Sequence, residues 1–414
     1  MYIEFLDRLD RKFHLDIEPR EIIREVIARN HIPFDAVIVR KDGEVVDDWR
    51  EVYDPSHDYK VHMVRAYHLP DILALNGLWQ SRATPDAGVE IPAEPFYTKR
   101  HFAHSKGGDY NATQIVFGRE EFVEWIEQMF VDGTISQNLI EDGDKVLLAV
   151  SGGKDSLALG YFLSRTKHRL PDYSLSAVHV TAFSKPAETS YAIKMAETFE
   201  HPLTLVEDDE LVSAYRLRVT PREALSQVRD KVDPSYLIAA SHSMMRSSVE
   251  RVARRDGIKK VGFGLMREDI LTSIVKSMFV GFPFGGSYKG MQNDIEFIYP
   301  LWPIGKKELT LYLEALYPDS NKQGSPVTFQ RGSLVRDAHY MIAETMETIL
   351  PGSSFQMMEG QQRLFESYVR MPEFRVCKRC EMSFQVGPGA LPEASGLCEL
   401  CQTFTNLGVA DDVD

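Results

Sequence analysis

The sequence predicts an α/β protein. Its centre is a doubly wound parallel sheet, with a small mixed unit ahead of it and a cysteine-bearing module behind it. Three observations carry this prediction. From Lys145 to Gly264 short apolar runs alternate with helix-length segments, the βαβα order of parallel sheets. The first run, Val146-Leu-Leu-Ala-Val150, is apolar throughout, as suits a strand covered on both faces. All four cysteines fall in two C-x-x-C pairs near the C-terminus.

Composition sets the outer bounds. A chain of 414 residues holds two or three domains, and 43% hydrophobic with 26% charged residues is a globular balance. The net charge of -14 argues against one large basic nucleic-acid surface but leaves room for a local basic groove. No apolar run reaches membrane-spanning length, and Met1-Tyr-Ile-Glu lacks the layout of a signal peptide. A cytoplasmic protein with no membrane partner is the expectation.

Residues 1–70 read as one unit. Tyr2 to Leu6 and Phe13 to Ile17 are strands. Pro19 opens a helix with Ile22, Ile23, Val26 and Ile27 on one face. Ala36 to Arg40 and Val45-Val46 form a hairpin turning at Asp42-Gly43, and Lys60 to Arg65 is a last alternating strand. The order ββαββ resembles the β-grasp, or ubiquitin-like, fold of small sulfur-carrier proteins. Carriers of that kind end in a free Gly-Gly, whereas this strand runs on into Tyr67-His-Leu-Pro70. The resemblance therefore implies docking or substrate handling rather than a carrier role.

Residues 71–113 read as a linker and irregular segment, with Ala83 to Pro95 rich in Pro, Ala and Gly. Phe96 to Gly108 interleaves Lys99, Arg100, His101, His104 and Lys106 with aromatic residues. Such a stretch is either a single-stranded nucleic-acid surface or a solvated loop. His101 and His104 lack further ligands nearby, so a metal role is not expected there.

Residues 114–316 form the main domain. Phe117 to Phe130 is an amphipathic helix leading to the first strand. Ser174 to Val180, Leu203 to Val206 and Lys259 to Gly264 are the next strands, with helices over Thr189 to Glu200 and Tyr236 to Asp256 between them. Ligands of such sheets bind beyond the carboxyl ends of the strands. The loop after Val150, the stretch at Val180-Thr-Ala-Phe183 and Gly264 to Asp269 therefore face one pocket.

The loop is Ser151-Gly-Gly-Lys-Asp-Ser156. Gly152 and Gly153 permit positive φ and close backbone approach. Ser151 can cap the coming helix, whose first N–H groups favour an anion such as phosphate. Lys154 adds positive charge, and Asp155 can bind Mg²⁺ or orient a nucleotide. The string is not a Walker A loop. It resembles the S-G-G-x-D-S PP-loop of the ATP pyrophosphatase, or adenine nucleotide α-hydrolase, superfamily. That resemblance implies cleavage of ATP between the α and β phosphates and adenylation of a substrate oxygen.

Gly264-Leu-Met-Arg-Glu-Asp-Ile-Leu-Thr-Ser273 is similar to the G-H-H-R-D-D-I-L-Q-T stretch of the enzymes that make 2-thiocytidine in tRNA. The similarity extends over about residues 140–315. It implies that Glu268 and Asp269 lie near the nucleotide and its Mg²⁺, with Arg267 as the adjacent basic residue. Acids at a helix N-terminus also serve its dipole. Leu265 and Met266 replace the family's histidines. The family's cluster- or persulfide-bearing cysteines would fall at Ile238, Ser241 and Ile304, and residues 1–376 contain no cysteine. Thiolate chemistry in the core is therefore excluded.

Residues 317–371 read as a helical extension, with helices over Gly332 to Leu350 and Met357 to Met371. In the module at 372–406, Cys377 and Cys380 are separated by seventeen residues from Cys398 and Cys401. This spacing points to a zinc ribbon, with an iron–sulfur centre as the alternative. Thiouridine-forming PP-loop enzymes, which the chain resembles, also carry C-x-x-C zinc modules. Arg375, Lys378 and Arg379 either touch RNA phosphates or form a solvated face. The tail from Ala410 is acidic.

Together these readings predict an ATP-, Mg²⁺- and Zn²⁺-dependent enzyme. Ser151, Gly152, Gly153, Ser156, Val180 and Gly264 contact the nucleotide; Lys154, Asp155, Arg267, Glu268 and Asp269 act on it. By resemblance the nucleophile is sulfur, brought by an external donor or carrier protein to tRNA or a small carbonyl substrate. An amine nucleophile, as in PP-loop amide and lysidine synthetases, and a non-catalytic nucleotide-binding role are the alternatives. A homodimer is compatible with all three.

Overall fold

In a computed structural model of the chain, residues 2–6, 12–30, 32–64, 89–104, 110–229, 234–280, 287–316, 334–350, 352–368, 373–386 and 396–411 are described. They fall into two units. One comprises Met1–Phe130, Met266–Phe282 and Trp302–Gln361; the other comprises Val131–Leu265, Pro283–Leu301 and Gln362–Asp414.

The first unit starts with strands β1 (Tyr2–Leu6), β2 (Lys12–Asp16), β3 (Val37–Lys41), β4 (Glu44–Val46) and β5 (Tyr59–Met63). They line up as β2-β1-β5-β3-β4, with β1 and β5 parallel and the other neighbours antiparallel. The helix Ile23–Arg29 buries Ile23, Val26 and Ile27 in one cluster with Ile3, Leu15, Val37, Val39 and Val61. This is the β-grasp arrangement. Asp42 and Gly43 both have positive φ, 51° and 90°, as a two-residue hairpin turn requires.

The stretch read as a linker is partly strand. β6 (Tyr97–His104) and β7 (Tyr110–Phe117) pair antiparallel along their whole length. The sequence counts Lys99 among surface basic residues, but the structure buries it. Its Nζ lies 2.6 Å from Glu308 Oε1. The Pro/Ala/Gly-rich residues 83–88, residues 105–109 and the side chains of Arg100, His101 and His104 lie outside the described residues.

The helix Lys306–Leu316 is tied to these elements by ion pairs. Lys307 Nζ lies 2.6 Å from Asp48, and Arg40 forks onto Glu314 at 2.6 and 2.8 Å. Residues 302–316 fall in the same unit as the β-grasp.

The second unit holds β8 (Asp144–Ala149), β9 (Tyr173–Val180), β10 (Leu203–Val206), β11 (Lys260–Gly262), β12 (Lys289–Gln292) and β13 (Ile295–Ile298). Their order is β10-β9-β8-β11-β13-β12, all neighbours parallel except β12 with β13. Val146, Leu147 and Leu148 are at most 1% exposed, as an inner strand of a doubly wound sheet demands. The chain proceeds from β8 outward to β10 and then returns to the other side of β8. The switch point lies between β8 and β11.

The cysteine module belongs to this unit. β14 (Glu373–Val376) and β15 (Ser383–Val386) form a hairpin, followed by the helix Glu399–Asn406. No helix among the described residues is long and apolar enough to cross a membrane.

Candidate nucleotide loop and metal centre

Strand β8 ends at Ala149, and the helix Lys154–Arg165 starts four residues after Val150. The loop between them carries its own hydrogen bonds. Ser151 N donates to Ser156 Oγ at 3.1 Å, and Gly153 N donates to Ser151 Oγ at 3.2 Å. Ser156 Oγ also donates to Gly153 O at 3.1 Å. Both serines are thus used to shape the turn. The first N–H groups of any helix lie outside its own ladder, so this turn presents an anion-favouring end at the switch point.

Two close approaches explain the glycines. Gly152 has φ +77°, and a Cβ there would overlap the Glu188 carbonyl oxygen and lie 2.6 Å from its carbon. The helix Pro186–Thr198 therefore forms a wall against the loop. A Cβ on Gly264, just beyond β11, would lie 2.9 Å from Asp155 O and 3.0 Å from Ser156 N. Gly264 lets the end of β11 approach the first turn of the loop helix. Val180, at the end of β9, is buried, and the turn Thr181–Phe183 follows it. Arg222 braces that turn by donating to Ala182 O at 2.7 Å and Ser184 O at 3.1 Å. Ser151 to Ser156, Val180 and Gly264 thus share one end of the second unit's sheet, at the ends of β8, β9 and β11.

One residue here has no counterpart in the sequence reading. His179, fully buried on β9, places Nδ1 2.7 Å from Val150 O and Nε2 3.0 Å from Thr189 Oγ1. A carbonyl only accepts, so Nδ1 carries the proton and Nε2 accepts from the threonine. Burial pushes the imidazole below its ordinary pKa, partly offset by the Val150 carbonyl and the Glu188 charge.

Arg267, Glu268 and Asp269 lie in the first unit, where the chain itself engages them. Both Glu268 oxygens accept from Lys306 N, at 3.0 and 3.1 Å, at the start of the helix Lys306–Leu316. Asp269 Oδ2 accepts from Met266 N and Lys306 Nζ, each at 3.1 Å, and Oδ1 accepts from Tyr340 OH at 2.6 Å. Arg267 is 2% exposed, with Nη1 3.3 Å from Glu308. Burial works against the Glu308 anion, but Arg267 and Lys99 prevail and bring its pKa down to about 2. The resemblance expects this trio to serve nucleotide and metal. Here Glu268 meets the start of a helix, Asp269 pairs with Lys306, and Arg267 pairs with Glu308.

The four cysteines are buried, with all their sulfurs within 4.8 Å of one another. Cys380 and Cys398 sulfurs are 3.6 Å apart. Thiolates at about 2.3 Å from one tetrahedral ion stand roughly 3.8 Å apart, so the cage fits a single ion. A cluster, with several irons and bridging sulfides inside, needs a wider one. Cys398 N donates to Cys377 Sγ at 3.3 Å, and donation from the neighbouring thiols and this N–H holds Cys377 far below the usual thiol pKa. Arg379 is not an exposed basic residue. It is 5% exposed and donates to Cys401 O at 3.0 Å and Thr405 Oγ1 at 2.8 Å. The module is anchored to the helix Pro234–Arg255 by Glu250, which accepts from Ser383 N at 2.7 Å.

No family model matches the chain. It is 24% identical over 297 residues to the tRNA-5-methyluridine(54) 2-sulfurtransferase of Pyrococcus horikoshii, covering 68% of this chain and 86% of that one. It is 27% identical over 244 residues to the tRNA-cytidine(32) 2-sulfurtransferase of Aliivibrio salmonicida, covering 56% and 72%. Among solved structures, it resembles the U34-tRNA thiolase NcsA of Methanococcus maripaludis with its [4Fe-4S] cluster. The TM-score is 0.54 at 20% identity, over 72% of this chain and 93% of that one. These similarities, with the Ser151-Gly-Gly-Lys-Asp-Ser156 string, match the PP-loop ATP pyrophosphatase fold. The chain's PP-loop is complete, whereas the core that surrounds it carries no cysteine.

Proposed function

We propose that the chain is an ATP-dependent sulfurtransferase. It adenylates a carbonyl oxygen of a tRNA base and replaces that oxygen with sulfur delivered from outside its core. The observation that carries this reading is the complete PP-loop at the switch point of the parallel sheet. The relatives named as tRNA 2-sulfurtransferases support the substrate class.

In this reading Ser151, Gly152, Gly153 and Ser156 form the phosphate cradle, and Lys154 adds charge. Val180 and Gly264 flank the nucleotide from the ends of the neighbouring strands. The base oxygen attacks the α phosphorus, and the bond to the β phosphate breaks. Sulfur then adds to the activated carbon, and AMP leaves with the original oxygen. Stabilising the departing pyrophosphate is electrostatic work for backbone N–H groups and lysine. Mg²⁺ would neutralise phosphate charge, and Asp155 is the loop carboxylate that would hold it. The four-cysteine centre is a structural zinc site, closed by its full set of thiolates and so without an open position for catalysis.

Residues 1–376 contain no cysteine, so the sulfur arrives as sulfide or on a carrier protein. The same observation favours one second reading, in which the nucleophile is an amine. The test is to incubate the purified protein with ATP, Mg²⁺, bulk tRNA and sulfide. AMP, pyrophosphate and a thionucleoside should form, and Asp155→Ala should abolish all three while folding normally. Pyrophosphate release that persists in Asp155→Ala would remove the loop from the mechanism. AMP formation with an amine but no sulfur in the product would move the reaction to the second reading.

A further inference from the structure

The PP-loop is held from two directions. Its internal bonds join Ser151, Gly153 and Ser156. Its outer support is the helix Pro186–Thr198, which touches Gly152 through the Glu188 carbonyl. Between that helix and the root of the loop lies the His179 ring. Nδ1 donates to Val150 O, one residue before Ser151, and Nε2 accepts from Thr189, one residue after Glu188. Val150 N is also fixed, donating to Val178 O of β9 at 2.9 Å.

We propose that His179 is the positioning residue of the nucleotide loop. Its ring ties the Val150 carbonyl to Thr189 on the wall helix and so holds the loop in its phosphate-binding shape before ATP arrives. The proposal rests on the reading of Ser151 to Ser156 as the ATP site. Its physical basis is preorganisation. A loop fixed in advance binds without an ordering cost, and a loosened one loses affinity even in a folded protein. His179 is fully buried and Thr189 half-buried, and both act from behind the loop rather than on the nucleotide. Burial also lowers the imidazole pKa, which keeps the neutral tautomer that the two bonds require.

The test uses the full chain and four variants: His179→Leu, His179→Asn, Thr189→Val and the double variant His179→Leu with Thr189→Val. ATP affinity is read by calorimetric titration, loop order by hydrogen exchange of the amides at 150–156, and folding by urea denaturation. Loss of one buried hydrogen bond is worth about tenfold in an equilibrium constant. His179→Leu should therefore weaken ATP binding by at least about tenfold in folded protein and speed loop exchange comparably. Exchange in β11 should be unchanged. His179→Asn keeps a donor in the Nδ1 position and should stay within about threefold of wild type. Thr189→Val should weaken binding by about threefold and add little in the double variant, since both act through one ring.

A His179→Leu protein that is less stable but binds ATP normally would overturn the proposal. So would His179→Asn behaving like His179→Leu. If His179→Leu does not fold, an unchanged affinity and loop exchange in Thr189→Val gives the same refutation. If wild-type protein fails to bind ATP, the nucleotide reading falls, and the exchange data alone decide whether His179 orders the loop.

Discussion

Gly152→Ala is the sharpest perturbation of the nucleotide loop. Gly152 sits at φ +77°, where an L-residue pays roughly 1–2 kcal/mol. Its new methyl would overlap the Glu188 carbonyl, with Glu188 C at 2.6 Å and Cα at 2.8 Å, all backbone atoms that cannot swing aside. Overpacking of this kind costs about 1–3 kcal/mol. The sum, about 2–5 kcal/mol, is a large share of a typical stability of ~5–15 kcal/mol. The strain is relieved only if the loop retreats from the wall helix by about 1 Å, and a misplacement of that size can cost on the order of a hundredfold in rate. Two controls separate the contributions. Gly143 has φ +83° with nothing within 4 Å of a Cβ, so Gly143→Ala isolates the conformational cost. Gly153 has φ -80° and a Cβ would meet only Ser151 Oγ at 3.3 Å. Urea denaturation should rank the losses Gly152 > Gly143 > Gly153, and only Gly152→Ala should cut ATP-dependent pyrophosphate release by about a hundredfold. Equal losses at Gly152 and Gly143, with activity intact in both, would refute the wall contact.

Three further outcomes follow from the buried charges and the cysteine cage. Glu308→Gln leaves Arg267 and Lys99 without their shared anion and should cost about 3–5 kcal/mol at pH 7 by urea denaturation. Because its pKa is lowered to about 2, the wild-type contribution is complete above the ordinary glutamate value and fades as pH falls toward 2, so the difference should shrink in acid. Asp47 behaves oppositely: burial first, then the Asp48 charge, raises its pKa to about 6, so folding loses stability between pH 4 and 6 and carries the full penalty above that. Asp47→Asn should thus gain about 1–3 kcal/mol over wild type at pH 7.5 and much less at pH 4.5, and a pH-independent difference would contradict the assignment. Removing metal with a chelator should release about one zinc per chain and lower the melting temperature of the second unit, since the module shares Glu250 and Arg254 with the helix Pro234–Arg255; iron and sulfide in the released material would contradict the single-ion cage.

The features that the sequence discloses are those whose cause is local. Val146 to Val150 is apolar because β8 is covered on both faces, and Gly152 after it announces a turn that few other residues could make. The cysteine spacing is a covalent ruler, and Asp42-Gly43 specifies its own hairpin. What escapes depends on partners far along the chain. Lys99 looks like a surface cation until Glu308, more than two hundred residues away, is folded against it. His179 reads as one polar residue of β9 beside Ser174 and Ser176, and only the fold supplies Val150 and Thr189. β12 and β13 are short, and their turn at Asn293, with φ +58°, is the one local cue. Glu268 and Asp269 carry a family pattern, but their hydrogen bonds to Lys306 and Tyr340 appear only in three dimensions.

If ATP cleaved at the PP-loop drives sulfur into a tRNA base, the product is visible in the cell's own tRNA. The measurement is nucleoside mass spectrometry of bulk tRNA from cells with and without the gene, and from cells complemented by wild-type or Asp155→Ala protein. One thionucleoside should disappear without the gene, return with wild type and stay absent with Asp155→Ala. An unchanged thionucleoside profile in all four samples would contradict sulfur transfer to tRNA by this chain.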